Sequence, residues 1–184
     1  LEKWGVHEQI ARRIITIVGD KKSNILLGFI LSTGLVSMWI SNTATALMML
    51  PMAMAVVEAM PPAHRNSRFS VLLMLSIAYA ANIGGLATLI GSPPNTQMAS
   101  ILSENFHIEV SFLDWLKIGL PLAIVMLLGM YLVFYFFLGT ERKDVHDLHF
   151  HITPWTTTQK RVLFIFSVVA GLWIFRSLIG QYLG

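Results

Sequence analysis

The stretch SMWISNTATA, at residues 37–46, decides how this chain folds, because it places polar residues in the middle of an apolar segment. It lies within residues 24–57, which are 34 consecutive residues without Asp, Glu, Lys or Arg. A helix of that length would reach about 50 Å, whereas the hydrocarbon core of a bilayer is about 30 Å thick. The segment is therefore too long for one crossing, and its Ser-Asn-Thr sequence marks the point at which the chain turns.

The composition of the whole chain predicts an all-α integral membrane protein. Of 184 residues, 55% are hydrophobic and 12% are charged, whereas soluble domains carry about 25% charged residues. A net charge of +3 in so apolar a chain indicates cytoplasmic loops rather than a nucleic-acid partner. Cysteine is absent, which excludes disulfides and thiol chemistry. Because the sequence begins at Leu1, we interpret it as a segment of a longer multi-pass protein, with the bacterial inner membrane as its expected location.

Basic residues on both sides of the first charge-free window predict that both of its ends lie in the cytoplasm. Lys21 and Lys22 precede the window, while Arg65 and Arg68 follow it. An even number of crossings is then required, and about 34 residues suit a re-entrant helical hairpin better than two full spans. We predict this hairpin at residues 23–62, with its polar tip at Ser-Asn-Thr.

The rest of the chain divides at its charges and its helix breakers. Residues 69–103 lack charge but contain Gly-Ser-Pro-Pro-Asn at 91–95, so we predict a discontinuous transmembrane helix at residues 66–105. The other predicted elements are an amphipathic interfacial helix (1–22), a transmembrane helix (112–140), a cytoplasmic interfacial segment (141–160) and a further transmembrane helix (161–184).

Two breaks at membrane depth indicate a binding site, because irregular backbone there must be buried in protein or line a polar cavity. The second hairpin arm starts near Thr43 and the second half-helix near Pro94, so we expect each to present free N–H groups to an anion. The hydroxyl and amide groups around both breaks suit a hard cation. Neither window contains an ionisable Asp, Glu, Lys or Arg, which favours coupling to Na⁺ over coupling to protons.

Three motifs together resemble the divalent anion/sodium symporter family. They are Ser-Asn-Thr at 41–43, Asn-Ile-Gly-Gly at 82–85 and Gly-Ser-Pro-Pro-Asn at 91–95. The resemblance implies a secondary transporter that carries a divalent anion with Na⁺, most simply a C4-dicarboxylate such as succinate. It also implies a homodimer, inverted repeats that each contain one hairpin and one broken helix, and an elevator-type movement. This chain then corresponds to one part of the first repeat.

The resemblance also implies roles for individual residues. Ser37, Ser41, Asn42 and the backbone around Gly91 would form a sodium site. The substrate carboxylate would contact a second set, namely Asn42, Thr43, Ser92 and Pro93.

Other interpretations stay open at this point. Within the same fold, a sodium-independent dicarboxylate exchanger or a sulfate or citrate transporter is possible, and a non-transporting membrane scaffold is a different class. We do not expect an enzyme, because the predicted spans contain no Ser-His-Asp, HExxH or paired-carboxylate arrangement. His146, His149 and His151 lie beside two aspartates, and we interpret them as a solvated loop rather than a metal site.

Overall fold

The computed structural model describes residues 21–60, 65, 67–139, 154 and 156–174, together with residues 6, 9, 10, 13, 14 and 17. The predicted interfacial helix at residues 1–22 lies almost wholly outside the described residues. The three histidines of the predicted 141–160 segment and the last ten residues of the chain also lie outside them.

All the regular structure in these ranges is helical. From residue 21 onward, six helices follow one another in the described ranges: α1 (Lys22–Ser37), α2 (Asn42–Ala59), α3 (Arg68–Leu86), α4 (Pro93–Phe106), α5 (Phe112–Leu138) and α6 (Thr157–Ile174). The prediction of an all-α protein is confirmed for the part of the chain that the structure describes. Helix α6 begins four residues before the predicted start of the last span, so Lys160 and Arg161 lie within its first turns.

Short turns separate the helices at both polar stretches. Residues 38–41 lie between α1 and α2, and residues 87–92 lie between α3 and α4. Helix α4 starts with Pro93 at its first position, where a fixed φ angle suits the helix and a missing N–H leaves nothing unpaired. The re-entrant course and the inverted repeat stay predictions.

Helix α3 is the central helix, since it packs against α1, α2 and α5. The core around it consists mostly of aliphatic and aromatic side chains, including Phe29, Ile30, Phe69, Leu73, Ile77 and Ala123. At the basic end of the helices, the Lys22 ammonium lies 5.6 Å from the centre of the Phe69 ring. This cation–π contact pairs a buried charge with an aromatic face and connects the start of α1 to the start of α3.

Two glycines bring α1 and α3 into backbone contact near their C-terminal ends. A Cβ atom added to Gly84 would lie 2.7 Å from Cα of Gly34, closer than side-chain carbons approach other atoms. Leu127 of α5 covers the other side of Gly34, where an added Cβ would lie 2.8 Å from Leu127 Cδ1. Small residues let membrane helices approach closely in this way. The contact places the last turn of α3 beside the last turn of α1.

Three of the described helices, α2, α3 and α5, are long and apolar enough to cross a membrane. They differ in burial, because 56% of the apolar window of α3 is buried within the protein and only 11% of that of α5. Large apolar side chains of α5, such as Ile118, Val125 and Phe136, are exposed. This apolar surface suits contact with lipid or with further protein.

Candidate functional site

The C-terminal ends of α1 and α3 meet the N-terminal end of α2 at one place. Hydrogen bonds there join Ser37 of α1, Asn42 of α2, and both Ala81 and Asn82 of α3. We refer to these four residues as the tip cluster. None of them is ionisable, so the tip cluster offers a ligand only uncharged polar groups.

The hydroxyl of Ser37 lies between two acceptor oxygens. It is 2.6 Å from the Ala81 carbonyl oxygen and 2.9 Å from Asn42 Oδ1, and Ser37 is completely buried. A serine hydroxyl carries a single proton, so three oxygens share one proton within hydrogen-bonding distance. Hard cations prefer oxygen ligands, and a group of neutral oxygens with so few protons suits a monovalent cation.

The carboxamide of Asn42 is held at both ends. Its oxygen accepts the Ser37 hydroxyl, and its nitrogen donates to Asn82 Oδ1 at 3.1 Å. Gly85 lies against the same group, because a Cβ at Gly85 would overlap Asn42 Oδ1 and come within 3.0 Å of its Cγ. Tertiary neighbours on two helices therefore determine the orientation of Asn42.

The turn at residues 87–92 is held by side chains on either side of it. Asn95 is buried and donates from Nδ2 to the carbonyl oxygens of Gly85 and Thr88, both at 2.8 Å. The Thr88 hydroxyl donates to the Met38 carbonyl oxygen at 2.5 Å. Carbonyl groups at a helix end have no partner within the helix, and these side chains satisfy several of them. The turn is consequently attached to both α4 and α1.

Gly91 contacts Gly85, which in turn contacts the tip cluster. A Cβ at Gly91 would lie 2.6 Å from the Gly85 carbonyl oxygen and 3.1 Å from Gly85 Cα. Gly85 in turn contacts the Asn42 side chain. The two glycines thus allow the turn to pack closely on the end of α3, and the end of α3 to pack on the Asn42 side chain at the start of α2.

Two further hydroxyls lie close in sequence to the cluster. Thr33 precedes Ser37 by four residues and Thr45 follows Asn42 by three, so each shares a helix face with a cluster residue. Both threonines are completely buried, and neither hydroxyl has a hydrogen-bond partner among the described residues. Buried polar groups are normally satisfied by protein, water or an ion.

The start of α2 presents free N–H groups, as predicted. The first N–H groups of a helix have no partner within it. Here the Ser41 hydroxyl accepts the N–H of Ala44 at 3.3 Å, and the N–H groups of Asn42 and Thr43 have no partner among the residues that the structure describes. The positive end of the helix dipole adds to their attraction for an anion.

The corresponding prediction for α4 is wrong. Its first two residues, Pro93 and Pro94, have no N–H group. The N–H of the third residue, Asn95, is used in a 3.1 Å bond to the Ser92 carbonyl oxygen. The motif's own prolines therefore remove the first two donors of the helix, and α4 offers an anion its dipole and the Ser92 hydroxyl.

The structure places the remaining predicted site residues around the same turns. Thr43 is exposed beside the half-buried Asn42. Ser92 precedes α4 and is half-buried, whereas Pro93 is exposed. Ser41 is exposed and caps α2. Their roles toward sodium and substrate stay predictions.

Sequence reasoning assigned no role to Ala81, Asn82, Thr88 or Asn95. Two of them, Asn82 and Asn95, lie inside the recognised motifs. A lone carboxamide in a long apolar window predicts a polar partner for that side chain. Burying an amide without a partner costs about 2–7 kcal/mol. The Ala81 carbonyl and Thr88 have no such signal in the sequence.

The chain matches a known protein family along its whole length. A family model described as citrate transporter (CitMHS) matches residues 1–184. The chain belongs to the citrate transporter family. This confirms the resemblance to divalent anion/sodium symporters. Membership of this family, with several apolar helices of membrane length, identifies a multi-pass cell-membrane protein of a transporter family rather than an enzyme.

Two relatives of this chain are named as sodium-dependent dicarboxylate transporters. The sodium-dependent dicarboxylate transporter SdcS of Staphylococcus saprophyticus is 35% identical over 196 aligned positions, which cover 96% of this chain and 37% of that protein. SdcS of Staphylococcus aureus is 39% identical over 134 positions, covering 69% of this chain and 26% of that protein. The chain thus spans well under half the length of these relatives.

Proposed function

We propose that this chain is the part of a secondary active transporter that binds Na⁺ and one carboxylate of a small dicarboxylate such as succinate. The observation that carries the proposal is the tip cluster, where uncharged oxygens around Ser37 lie directly beside the free N–H groups of α2. The names of the relatives support both the substrate class and the sodium dependence.

Sodium is held by oxygens at the tip. Ser37 Oγ and Asn42 Oδ1 are the central ligands, and Ser41 and the backbone around Gly91 complete the site, as the family resemblance implies. The short contacts around Ser37 support this assignment, because a cation replaces the missing protons between neighbouring oxygens. Bound Na⁺ also supplies a positive charge at the hairpin tip, where the sequence has no Lys or Arg to supply one.

The substrate carboxylate lies at the start of α2. It accepts hydrogen bonds from the N–H groups of Asn42 and Thr43, and the α2 dipole stabilises its charge. Ser92 contributes a hydroxyl from the other break, and Pro93 contributes shape. The second carboxylate of the substrate is bound by residues outside this sequence, which contains a single Ser-Asn-Thr motif.

Sodium and substrate bind cooperatively in this arrangement. Two opposite unit charges 4 Å apart attract each other by about 4 kcal/mol at an effective dielectric constant of 20. Bound Na⁺ therefore raises the affinity for the anion, and the anion raises the affinity for Na⁺ by the same factor. This reciprocity is the physical basis for moving both together.

The family resemblance supplies the larger scheme of the proposal. In that scheme, this unit makes an elevator-type movement against a fixed scaffold in a homodimer with inverted repeats.

Citrate is a second candidate substrate, favoured by the description of the matching family model. A sodium-independent exchanger is disfavoured because residues 24–57 contain no Lys or Arg to replace the cation.

Uptake of labelled succinate by the complete protein in proteoliposomes tests the proposal. We expect uptake only with an inward Na⁺ gradient, and competition by other C4-dicarboxylates. Uptake without Na⁺ that requires dicarboxylate inside the vesicles would instead establish an exchanger. Uptake of citrate or sulfate but not succinate would retain the sodium site and change the substrate.

A further inference from the structure

Thr88 belongs to one of the two turns of the site and is hydrogen-bonded to the other. Its hydroxyl donates to the carbonyl oxygen of Met38, in the turn between α1 and α2, at 2.5 Å. The same hydroxyl oxygen lies against Gly91 of its own turn, because a Cβ added to Gly91 would be 3.1 Å from Thr88 Oγ1. Thr88 is only 1% exposed. One buried hydroxyl therefore contacts both turns.

This bond is the direct polar link between the two turns. Among the residues that the structure describes, no other hydrogen bond joins residues 38–41 to residues 87–92. The hairpin is otherwise bonded to α3, through Ala81 and Asn82, and not to the turn that follows α3. The position of one turn relative to the other thus depends on Thr88 more than on any other polar group described.

The main chain of Thr88 is itself fixed within its turn. Its carbonyl oxygen accepts the N–H of Gly91 at 3.3 Å and the Nδ2 group of Asn95 at 2.8 Å. Asn95 is buried and belongs to the first turn of α4. With its carbonyl held on one side and its hydroxyl bonded on the other, Thr88 sets the position of the Met38 carbonyl relative to Gly91.

The proposed sodium site takes its ligands from both turns. Ser37, Ser41 and Asn42 come from the hairpin, whereas the backbone around Gly91 belongs to the turn that contains Thr88. Ser37 directly precedes Met38 in the chain, so the bond to Met38 also restricts how far Ser37 lies from Gly91. A site whose ligands are already in place binds more tightly, because ordering them then costs less free energy on binding.

We propose that Thr88 is a positioning residue for Na⁺, whose hydroxyl holds the two halves of the sodium site together before the ion binds. The inference rests on the proposed function and deepens it, because it names the group that prepares the ion site. Bound Na⁺ replaces this link, since the ion attracts oxygens from both turns. Loss of the hydroxyl therefore weakens Na⁺ binding, and a high Na⁺ concentration compensates for the loss.

The variant Thr88→Val removes the hydroxyl and keeps the shape of the side chain. The measurement is uptake of labelled succinate by the complete protein in proteoliposomes at a series of Na⁺ concentrations. We expect the Na⁺ concentration for half-maximal uptake to rise about three- to tenfold, as for the loss of one hydrogen bond. At saturating Na⁺, KM for succinate should change by less than about twofold. Poor folding would lower only the maximal rate, because it reduces the number of active molecules.

Two further substitutions show whether the hydroxyl itself is responsible. Thr88→Ser keeps the hydroxyl and should return the half-maximal Na⁺ concentration to within about twofold of the unmodified value. Thr96→Val is the matched control, because the Thr96 hydroxyl bonds at 2.8 Å to the Pro93 carbonyl oxygen of its own helix and joins no turns. It should also stay within about twofold. If Thr88→Val does not fold, Thr88→Ala replaces it, with the same rise expected.

The outcomes distinguish this inference from the proposed function. If the unmodified protein takes up succinate with Na⁺ and the variants without the Thr88 hydroxyl keep its Na⁺ dependence, the inference is wrong and the proposed function stands. An equal rise in Thr88→Ser would also overturn it, because packing and not the hydroxyl would then matter. If KM at saturating Na⁺ rises as much as the half-maximal Na⁺ concentration, Thr88 does not act through Na⁺. Uptake by the unmodified protein that is independent of Na⁺ would remove both proposals together.

Discussion

The helix starts at the two breaks differ in what they offer a ligand. At α2, Ser41 caps the helix, and the N–H groups of Asn42 and Thr43 bond to nothing in the described part of the chain. At α4, two prolines remove the first donors and the N–H of Asn95 is bonded to Ser92. Both sites have a helix dipole, yet only α2 can form several hydrogen bonds to an anion.

The attachment of the two turns differs as well. The turn before α4 is fixed by the two bonds of Asn95 and by the Thr88 hydroxyl. The tip before α2 depends instead on the orientation of Asn42, which is set by Ser37 and Asn82. One break is thus held by side chains on both sides of the turn, whereas the other is held through the carboxamide of a single residue, Asn42. Three substitutions test this comparison.

The largest effect is expected for Asn42→Ala. The substitution removes a proposed sodium ligand together with the bonds that join Asn42 to Ser37 and to Asn82, while Ser37 keeps its bond to the Ala81 carbonyl oxygen. Losing two hydrogen bonds of about 1.5 kcal/mol each corresponds to about a 100-fold decrease in sodium-dependent succinate uptake. Uptake by the complete protein in proteoliposomes measures it.

Asn105→Ala is the control for that variant. Asn105 bonds to the Ile101 carbonyl of its own helix, so its removal should change uptake by less than about twofold. Unchanged uptake and sodium dependence in Asn42→Ala would contradict the assignment of the tip as the site.

Gly84→Ala tests the contact that holds the two regions together. The added methyl group would overlap the backbone of Gly34, and neither helix can move away without disturbing the core. Overpacking of this kind costs about 1–3 kcal/mol, so we expect a lower melting temperature of the complete protein in detergent.

Gly129→Ala is the matched control, because a Cβ at Gly129 would contact nothing within 4 Å. Alanine favours a helix over glycine by about 1 kcal/mol, so this variant should melt at the same or a higher temperature. Equal melting behaviour of the Gly84 and Gly129 variants would show that α1 and α3 do not meet at these glycines.

The smallest effect is expected for Pro94→Ala, which restores one N–H group at the start of α4. If α4 acts through its dipole and the Ser92 hydroxyl, KM for succinate should change by less than about twofold. The same substitution at Pro121, inside α5, serves as the control. A tenfold change specific to Pro94 would mean that the donor pattern at α4 sets anion affinity, and that the two breaks are more alike than the structure indicates.

Local features of the fold could be predicted from the sequence because they depend on local physics. Proline and glycine at residues 91–94 oppose a continuous helix wherever the chain is placed. The Ser-Asn-Thr motif supplies a helix cap, and Ser41 is indeed the N-cap of α2. The incorrect expectation for α4 could also have been avoided from the sequence, since proline has no N–H group in any fold.

The partners of the site residues could not be predicted in the same way. Asn42 and Asn82 are 40 residues apart, and Thr88 and Met38 are 50 apart. Many serine, threonine and asparagine side chains in these windows could form equally good pairs by type. Only the relative position of the helices selects among them.

The sequence by itself determined that this is a helical membrane protein with two polar interruptions, because hydrophobicity and backbone geometry act residue by residue. It also contained the motifs of the citrate transporter family. Only the tertiary structure decided that the interruptions meet, that Asn42 faces Asn82, and that one helix start has free donors beside the oxygen cluster. The physical reason is the backbone contact of Gly34 and Gly84, which sets how α1 and α3 lie together and hence which polar groups come within hydrogen-bonding distance.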